Sequence, residues 1–183
     1  MKKRIVIKIG TAVIANKSGR INPEVFKHLV NQIIDLHQKG HQIILVSSGA
    51  VGTGKKSLDM EEEKNSLSKK QTLAALGQSY LMRDYINQFE KKKILVAQAL
   101  LMRRDFVERG RYLNAVGTLT RLLDKNIIPI VNENDVVATE ELGFGDNDGL
   151  AAMTAVALKA DLFIILSTVD GLYTGDPGKD KKA

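Results

Sequence analysis

The sequence predicts a three-layer α/β/α sandwich around a mainly parallel sheet, and two observations support this fold class. Five short runs of β-branched and other apolar residues are nearly continuous, as in strands that are buried on both faces. Stretches with helical spacing separate these runs, so strands and helices alternate along the chain. The chain has 183 residues, 44% of them hydrophobic, which is enough for one domain with a real core.

The elements are predicted in order from local signals. The strands are residues 5–7, 42–46, 94–97, 127–131 and 162–166. A helix is expected over residues 23–39, because Asn22 can cap it, Pro23 suits its first turn and Gly40 ends it. Its predicted apolar face is Val25, Leu29, Ile33 and Leu36.

Three more helical stretches follow, and a polar connection is expected between the second strand and the first of these stretches. The first stretch contains Leu67, Leu73, Leu76, Tyr80 and Leu81, and the second contains Leu113, Val116, Leu119, Leu122 and Leu123. The third covers residues 150–159, and residues 53–66 are predicted to be a polar, charged connection.

Composition restricts the function classes. The net charge of +6 suits nucleic acid, but glutamates interrupt the lysine clusters and only 5% of residues are aromatic, so nucleic-acid binding is not expected. The absence of cysteine excludes disulfides and thiolate zinc sites and favours a reducing cytoplasm. Lys8 interrupts the first apolar run, which argues against a signal peptide, and no run reaches the length of a membrane span.

Polar clusters follow the predicted strands, where ligands collect in open parallel sheets. The first cluster contains Lys8 and Gly10. A lysine in a buried strand is costly unless its ammonium group reaches an anion, and glycine lets the backbone approach a phosphate. The alternative for Lys8 is an edge-strand lysine that points to solvent.

A glycine-rich cluster follows the second strand. Gly49, Gly54 and Lys55 nearly match a phosphate-binding loop, but Lys56 stands where a magnesium-binding hydroxyl belongs. We therefore expect a glycine-rich turn that, with the hydroxyl of Ser48, cradles a small anionic substrate.

Residues 132–135, which read Asn-Glu-Asn-Asp, follow the fourth strand. Asn and Asp favour turns, so a purely structural turn remains open. The other interpretation is that these amide and carboxylate groups bind the ammonium group of an amino acid.

The acidic cluster Asp146-Asn147-Asp148 immediately precedes the last helix. It is either an acidic helix cap or a site that orients cations, namely lysine ammonium groups and the metal of a bound nucleotide. A calcium loop is excluded because Ala157 stands where its closing Glu belongs. Three scattered histidines make a zinc site improbable as well, so no metal ligands are assigned.

Taken together, these clusters resemble the amino acid kinase family. The matching segments are residues 6–11, 46–50, 70–71, 74–78, 129–135, 144–148 and 171–173. The resemblance covers essentially the whole chain, and the Asn-Glu-Asn-Asp and Phe-Gly-Asp-Asn-Asp segments are its most specific part.

The resemblance implies a phosphotransferase that uses ATP with Mg²⁺. The branch it fits best phosphorylates the γ-carboxylate of L-glutamate, the first step of proline synthesis. Alternatives are a sister kinase that acts on acetylglutamate, aspartate or a nucleotide monophosphate, and a non-catalytic amino-acid-binding module. Family members are commonly oligomeric and inhibited by proline, so a homo-oligomer with proline as inhibitor is expected.

The resemblance also implies roles for individual residues. Lys8 would neutralise charge on the transferring phosphoryl group, Asp148 would organise the catalytic lysine, and Gly10 would donate its backbone N–H to the phosphates. The residues implied to hold the acceptor are Ser48, Asn132, Asp135, Asp146 and Asn147, with Asp135 facing the ammonium group.

The implied ATP side is less complete. Ser167 and Thr168 stand where the family usually has Thr-Asp, and an aspartate comes only at position 170. The family's later glycine-rich segment and second catalytic lysine have no counterpart in this sequence. We therefore expect one kinase domain over residues 1–183, with a complete acceptor part at about 1–150, an incomplete nucleotide part at about 151–183, and little activity alone.

Overall fold

The computed structural model describes residues 1–16, 21–58, 66–139, 147–169, 171 and 173–175. Its strands are β1 (Arg4–Ile9), β2 (Gln42–Ser47), β3 (Val96–Leu101), β4 (Ile128–Glu133) and β5 (Leu162–Leu166). They form one sheet in the order β3-β4-β2-β1-β5, and every neighbouring pair is parallel. The predicted α/β class with a parallel sheet is confirmed.

Helices cover both faces of this sheet. They are α1 (Thr11–Ile14), α2 (Pro23–Gln38), α3 (Ala50–Ser57), α4 (Leu67–Glu90), α5 (Arg104–Val107), α6 (Arg109–Asp124) and α7 (Asn147–Ala157). Alternate strand residues face opposite sides: Ile5 and Ile7 join the core under α2 and α4, whereas Val6 joins the core under α6 and α7. In the described part of the chain, no helix is both long and apolar enough to cross a membrane.

Helix α2 begins and ends as the sequence predicts. The Asn22 side chain accepts hydrogen bonds from the backbone N–H groups of Glu24 and Val25 at 3.1 and 3.4 Å. Gly40 follows the helix with φ of +88°, a conformation that disfavours other residues.

The predicted apolar face of α2 is wrong except at Ile33, which is buried. Its buried residues are Phe26, Val30, Ile33, Ile34 and His37. Val25 is 40% exposed, and Leu29 and Leu36 lie only at the margin of the core. The predicted and the observed faces both have helical spacing. The face that packs on the sheet contains Phe26 and two isoleucines, so its burial removes more apolar surface from water.

Strand β3 lies further along the chain than predicted. The apolar run at 94–97 suggested its centre, but pairing with β4 runs from Val96 opposite Ile128 to Leu101 opposite Glu133. The six-residue register against a buried neighbour, rather than the local peak of hydrophobicity, sets the bounds of this strand.

The connection predicted at 53–66 is also partly wrong, because residues 53–57 belong to helix α3. Helices α3 and α4 touch backbone to backbone where they cross. A Cβ atom on Gly54 would overlap the carbonyl of Leu73, and one on Gly77 would overlap the carbonyl of Ala50. Gly54 therefore serves helix packing inside a helix, and the near-match to a phosphate-binding loop is not such a loop.

Candidate functional site

The predicted site residues lie at the carboxyl ends of three adjacent strands. In the sheet, β2 separates β4 from β1, and Ile9 at the end of β1 is opposite Ser47 at the end of β2. The buried residue Asn147 begins α7 and reaches this edge from the far end of the sequence. The topology thus brings together segments from opposite ends of the chain, such as Ser47 and Asn147, which are 100 residues apart in sequence.

The side-chain amide of Asn147 joins two of the strand ends. Its Nδ2 group lies 3.1 Å from the carbonyl oxygen of Ser47, 2.8 Å from Ser48 Oγ and 3.0 Å from Asn132 Oδ1. Asn147 is only 3% exposed, and its Oδ1 atom has no hydrogen-bond partner among the residues that the structure describes. A buried acceptor of this kind is costly unless a ligand donates to it.

Lys8 and Asp148 form an ion pair beside this amide. Lys8 Nζ lies 2.8 Å from Asp148 Oδ1, and the two side chains are 12% and 59% exposed. Because β1 lies between β2 and β5, Lys8 is not an edge-strand lysine that points to solvent. Asp148 lies in the first turn of α7, so it is at once an acidic residue at a helix start and the partner of a lysine.

The expected role of Gly10 as an N–H donor to phosphates stays a prediction, and in the structure this N–H has another acceptor. It donates to the carbonyl oxygen of Leu166 at 3.2 Å, which ties the end of β1 to β5. A Cβ atom at this position would lie 3.3 Å from both Lys8 Nζ and the Leu166 oxygen. The missing side chain therefore leaves room beside the lysine ammonium group.

Asp135 begins a short 3₁₀ turn, Asp135–Val137, that follows β4. Burial, and secondly the negative charge of Glu133, raises the pKa of Asp135 to about 6. Two carboxyl groups in a poorly solvated place favour a bound cation, since it would offset the cost of ionising Asp135. The predicted turn is present, and the binding of an ammonium group by its first side chain stays a prediction.

The other predicted residues that the structure describes come directly after β5. Ser167 and Thr168 are exposed and follow β5, and Ser167 Oγ accepts from the N–H of Val169 at 3.4 Å. They lie near Gly10 because of its bond to Leu166. Asp146 falls outside the described residues.

Two buried polar groups on α4 were assigned no role by sequence reasoning. Gln78 Oε1 accepts from Asn132 Nδ2 at 2.8 Å, and the hydroxyl of Tyr85 lies 2.8 Å from Ser47 Oγ. Burial raises the pKa of Tyr85 to about 12, and its bond to Ser47 opposes this. The signal for Gln78 was available: it is a polar residue four positions from Ala74 and from Met82 on the buried face of the helix.

A small cavity of about 190 Å³ lies against this cluster. Its lining includes Gln78, Glu133 and Asp135. A larger cavity of about 530 Å³ lies between α2 and α4, but it contains none of the predicted site residues, so chemistry rather than size identifies the acceptor site. Among the described residues, no group of three or more His, Asp or Glu side chains is placed to hold a metal ion.

Comparison with known proteins agrees with this geometry. The model of the amino acid kinase family matches residues 3–183. Glutamate 5-kinase of Caldanaerobacter subterraneus subsp. tengcongensis is 47% identical over 174 residues, which are 95% of this chain and 47% of that protein. The glutamate 5-kinases of Clostridium acetobutylicum and Streptococcus pneumoniae are 45% and 43% identical, over 98% and 99% of this chain and 67% and 49% of theirs.

The chain thus spans about half the length of most of these curated relatives. The family match nevertheless covers nearly all of its residues, including every described residue of the candidate site. On this evidence of sequence and geometry, the chain belongs to the amino acid kinase family.

Proposed function

We propose that this chain takes part in the transfer of the γ-phosphoryl group of ATP to the γ-carboxylate of L-glutamate, the first step of proline synthesis in the cytoplasm. The observation that carries the proposal is the pair of consecutive residues Asn147 and Asp148. The first belongs to the buried amide cluster, and the second holds the ammonium group of Lys8. An acceptor pocket and a cation for the transferring group therefore adjoin each other.

The chemistry requires little covalent help from the protein. A γ-carboxylate is already ionised at pH 7, so its oxygen needs no general base to attack phosphorus. One carboxylate oxygen forms a bond to the γ-phosphorus, the bond to the bridging oxygen breaks, and ADP leaves with that electron pair. Catalysis then depends on alignment and on positive charge near the phosphoryl oxygens, which Lys8 would supply while Asp148 fixes its position.

The acceptor would be held by its charged ends. The α-ammonium group would donate to Asp135, whose pKa burial raises, and to Oδ1 of Asn147, which has no hydrogen-bond partner among the described residues. Ser48 Oγ accepts from Asn147, which leaves the hydroxyl hydrogen to donate to a substrate carboxylate. Asp146, which precedes this cluster in sequence, is proposed to complete the acceptor site.

On the nucleotide side, Ser167 and Thr168 are proposed to contact ATP, and Gly10 to allow close approach beside Lys8. The residues described do not fit a magnesium site, because Asp148 is engaged by Lys8 and no carboxylate cluster is present among them. Mg²⁺ would therefore arrive on the phosphates of ATP, and no step above depends on its ligands.

The test is ADP release with trapping of the acyl phosphate by hydroxylamine. L-Glutamate, N-acetyl-L-glutamate, L-aspartate and uridine monophosphate are compared as acceptors. We expect γ-glutamyl hydroxamate from L-glutamate alone. Preference for another acceptor would contradict the proposed substrate and favour a sister kinase.

A second candidate is an amino-acid-binding module without turnover, because the amide cluster and the cavity beside it would hold an amino acid without any phosphoryl transfer. Calorimetric binding of L-glutamate without ADP release would support it. Proline carries the same α-ammonium and α-carboxylate groups, so it is proposed to compete for this site. Sedimentation would test the proposed homo-oligomer.

A further inference from the structure

Gln78 is a buried amide at the edge of the acceptor cluster. It lies in the middle of α4, is only 8% exposed, and its Oε1 atom accepts a hydrogen bond from Asn132 Nδ2 at 2.8 Å. It therefore supports a proposed acceptor-binding residue from the far side of the site.

The hydrogen bonds fix which way this amide points. Asn132 Oδ1 accepts from the backbone N–H of Glu133 at 2.9 Å, and a backbone N–H can only donate. Asn132 must then donate from Nδ2 to Gln78, so Gln78 must accept this hydrogen bond with Oε1. Its Nε2 group is left over, and it has no hydrogen-bond partner within the described ranges of the chain.

The surroundings of this donor suit a zwitterion. Gln78 shares the cavity of about 190 Å³ with Glu133 and Asp135. The carboxyl groups attract an ammonium group, whereas the Nε2 donor attracts an anion. A buried donor without a partner costs free energy, and a ligand oxygen would remove that cost.

The strand order indicates which end of the acceptor reaches Gln78. Lys8 lies on β1, whereas Asn132 and the cavity lie at the ends of β4 and β3, with β2 between. Two strand spacings amount to roughly 10 Å, which extended glutamate and its hydrogen bonds can bridge. If the γ-carboxylate faces Lys8, the α-carboxylate lies toward Gln78.

We propose that Gln78 is a specificity-determining residue that donates Nε2–H to the α-carboxylate of the acceptor while its Oε1 holds Asn132. This inference rests on the proposed function. It makes the site selective for an intact α-amino acid head group, with Asp135 for the ammonium group and Gln78 for the carboxylate.

The test changes the hydrogen-bonding groups of both the protein and the ligand. Gln78→Glu keeps an acceptor for Asn132 but replaces the donor by an anion. L-Isoglutamine keeps the ammonium and γ-carboxylate groups but carries an α-carboxamide that can donate. We expect wild type to bind L-glutamate more tightly than L-isoglutamine by calorimetry, and Gln78→Glu to lower that affinity ratio by about tenfold or more.

Gln88→Glu is the matched control, because it makes the same charge change on α4 next to Lys91 and away from the site. It should leave the ratio unchanged. Gln78→Met removes the donor without adding charge, and it should lower the ratio by about threefold or more even if Gln78→Glu does not fold.

Three results would overturn the inference. They are equal wild-type affinity for L-glutamate and L-isoglutamine, an unchanged ratio in a folded Gln78 variant, and an equal change of the ratio in Gln88→Glu. With L-glutamate bound by wild type, these results leave the proposed function intact. If wild type binds no L-glutamate, the proposed function fails and this inference fails with it.

Discussion

We expect the fold to be more stable without the negative charge of Asp135 than with it, because burial raises the pKa of this carboxyl group. Its pKa rises from 3.8 to about 6 on folding. The folded state therefore holds the proton more tightly than the unfolded chain, and the free energy of unfolding falls as pH rises between these values. Above pH 6 the ionised Asp135 destabilises the fold in full.

The magnitude follows from the size of this shift. A shift of about 2 pKa units corresponds to about 3 kcal/mol, and solvent screening of this partly exposed side chain reduces it to about 1 kcal/mol. Asp135→Asn keeps the shape and removes the charge. We expect this variant to raise the free energy of unfolding by about 1 kcal/mol at pH 7 and to give no such gain at pH 3.5.

Affinity for L-glutamate should change in the opposite direction to stability, because the negative charge of Asp135 destabilises the fold but binds the ammonium group. Wild-type affinity for L-glutamate should rise as pH increases through about 6, because Asp135 must ionise to pair with the ammonium group. Asp135→Asn should bind L-glutamate about tenfold more weakly, without this pH dependence. Urea denaturation measures the first effect and calorimetry the second.

Asp124→Asn is the control, because it removes an exposed carboxylate at the end of α6. It should alter neither measurement. The reasoning would be refuted by an Asp135→Asn variant that is no more stable than wild type at pH 7 and still binds L-glutamate with wild-type affinity.

Three further predictions concern the packing and chemistry around the site. Gly77→Ala should lower the free energy of unfolding, measured in urea, by about 1–3 kcal/mol, because its Cβ would overlap the α3 backbone. Gly117→Ala is the control, because its Cβ would lie in open space, and equal effects of the two would refute the helix contact. Asp148→Asn should lower kcat for glutamate phosphorylation far more than it raises KM, because it loosens Lys8; a change in KM alone would exclude that role. Tyr85→Phe should cost about 1 kcal/mol of unfolding free energy, and an unchanged urea midpoint would mean that its buried bond adds no net stability.

Local signals were enough to predict that each strand exists, though not the bounds of β3, and to predict the capped start of α2. Buried parallel strands need runs of apolar residues, and Asn22 with Pro23 defines a helix start within four residues. The segments of the site were predictable too, since polar groups directly after buried strands meet at one edge of a sheet.

What could not be predicted depends on distant partners. The N–H of Gly10 is taken by Leu166, which lies more than 150 residues later in the chain. Gly54 matches the pattern of a phosphate-binding loop in the sequence, but in the structure it lies against the backbone of Leu73. The role of Gln78 appears only when Asn132 is placed beside it, because helical spacing indicates that Gln78 is buried but not which group it contacts.

In the proposed reaction, a carboxylate oxygen of the acceptor attacks the γ-phosphorus of ATP. This step is tested most directly with L-glutamate that carries ¹⁸O in both γ-carboxylate oxygens, in the presence of hydroxylamine. Hydroxylamine attacks the acyl carbon, so the released phosphate keeps the oxygen that bridged carbon and phosphorus. We expect γ-glutamyl hydroxamate and phosphate with one ¹⁸O atom, whereas unlabelled phosphate without hydroxamate would contradict the proposal and mean that water had attacked ATP.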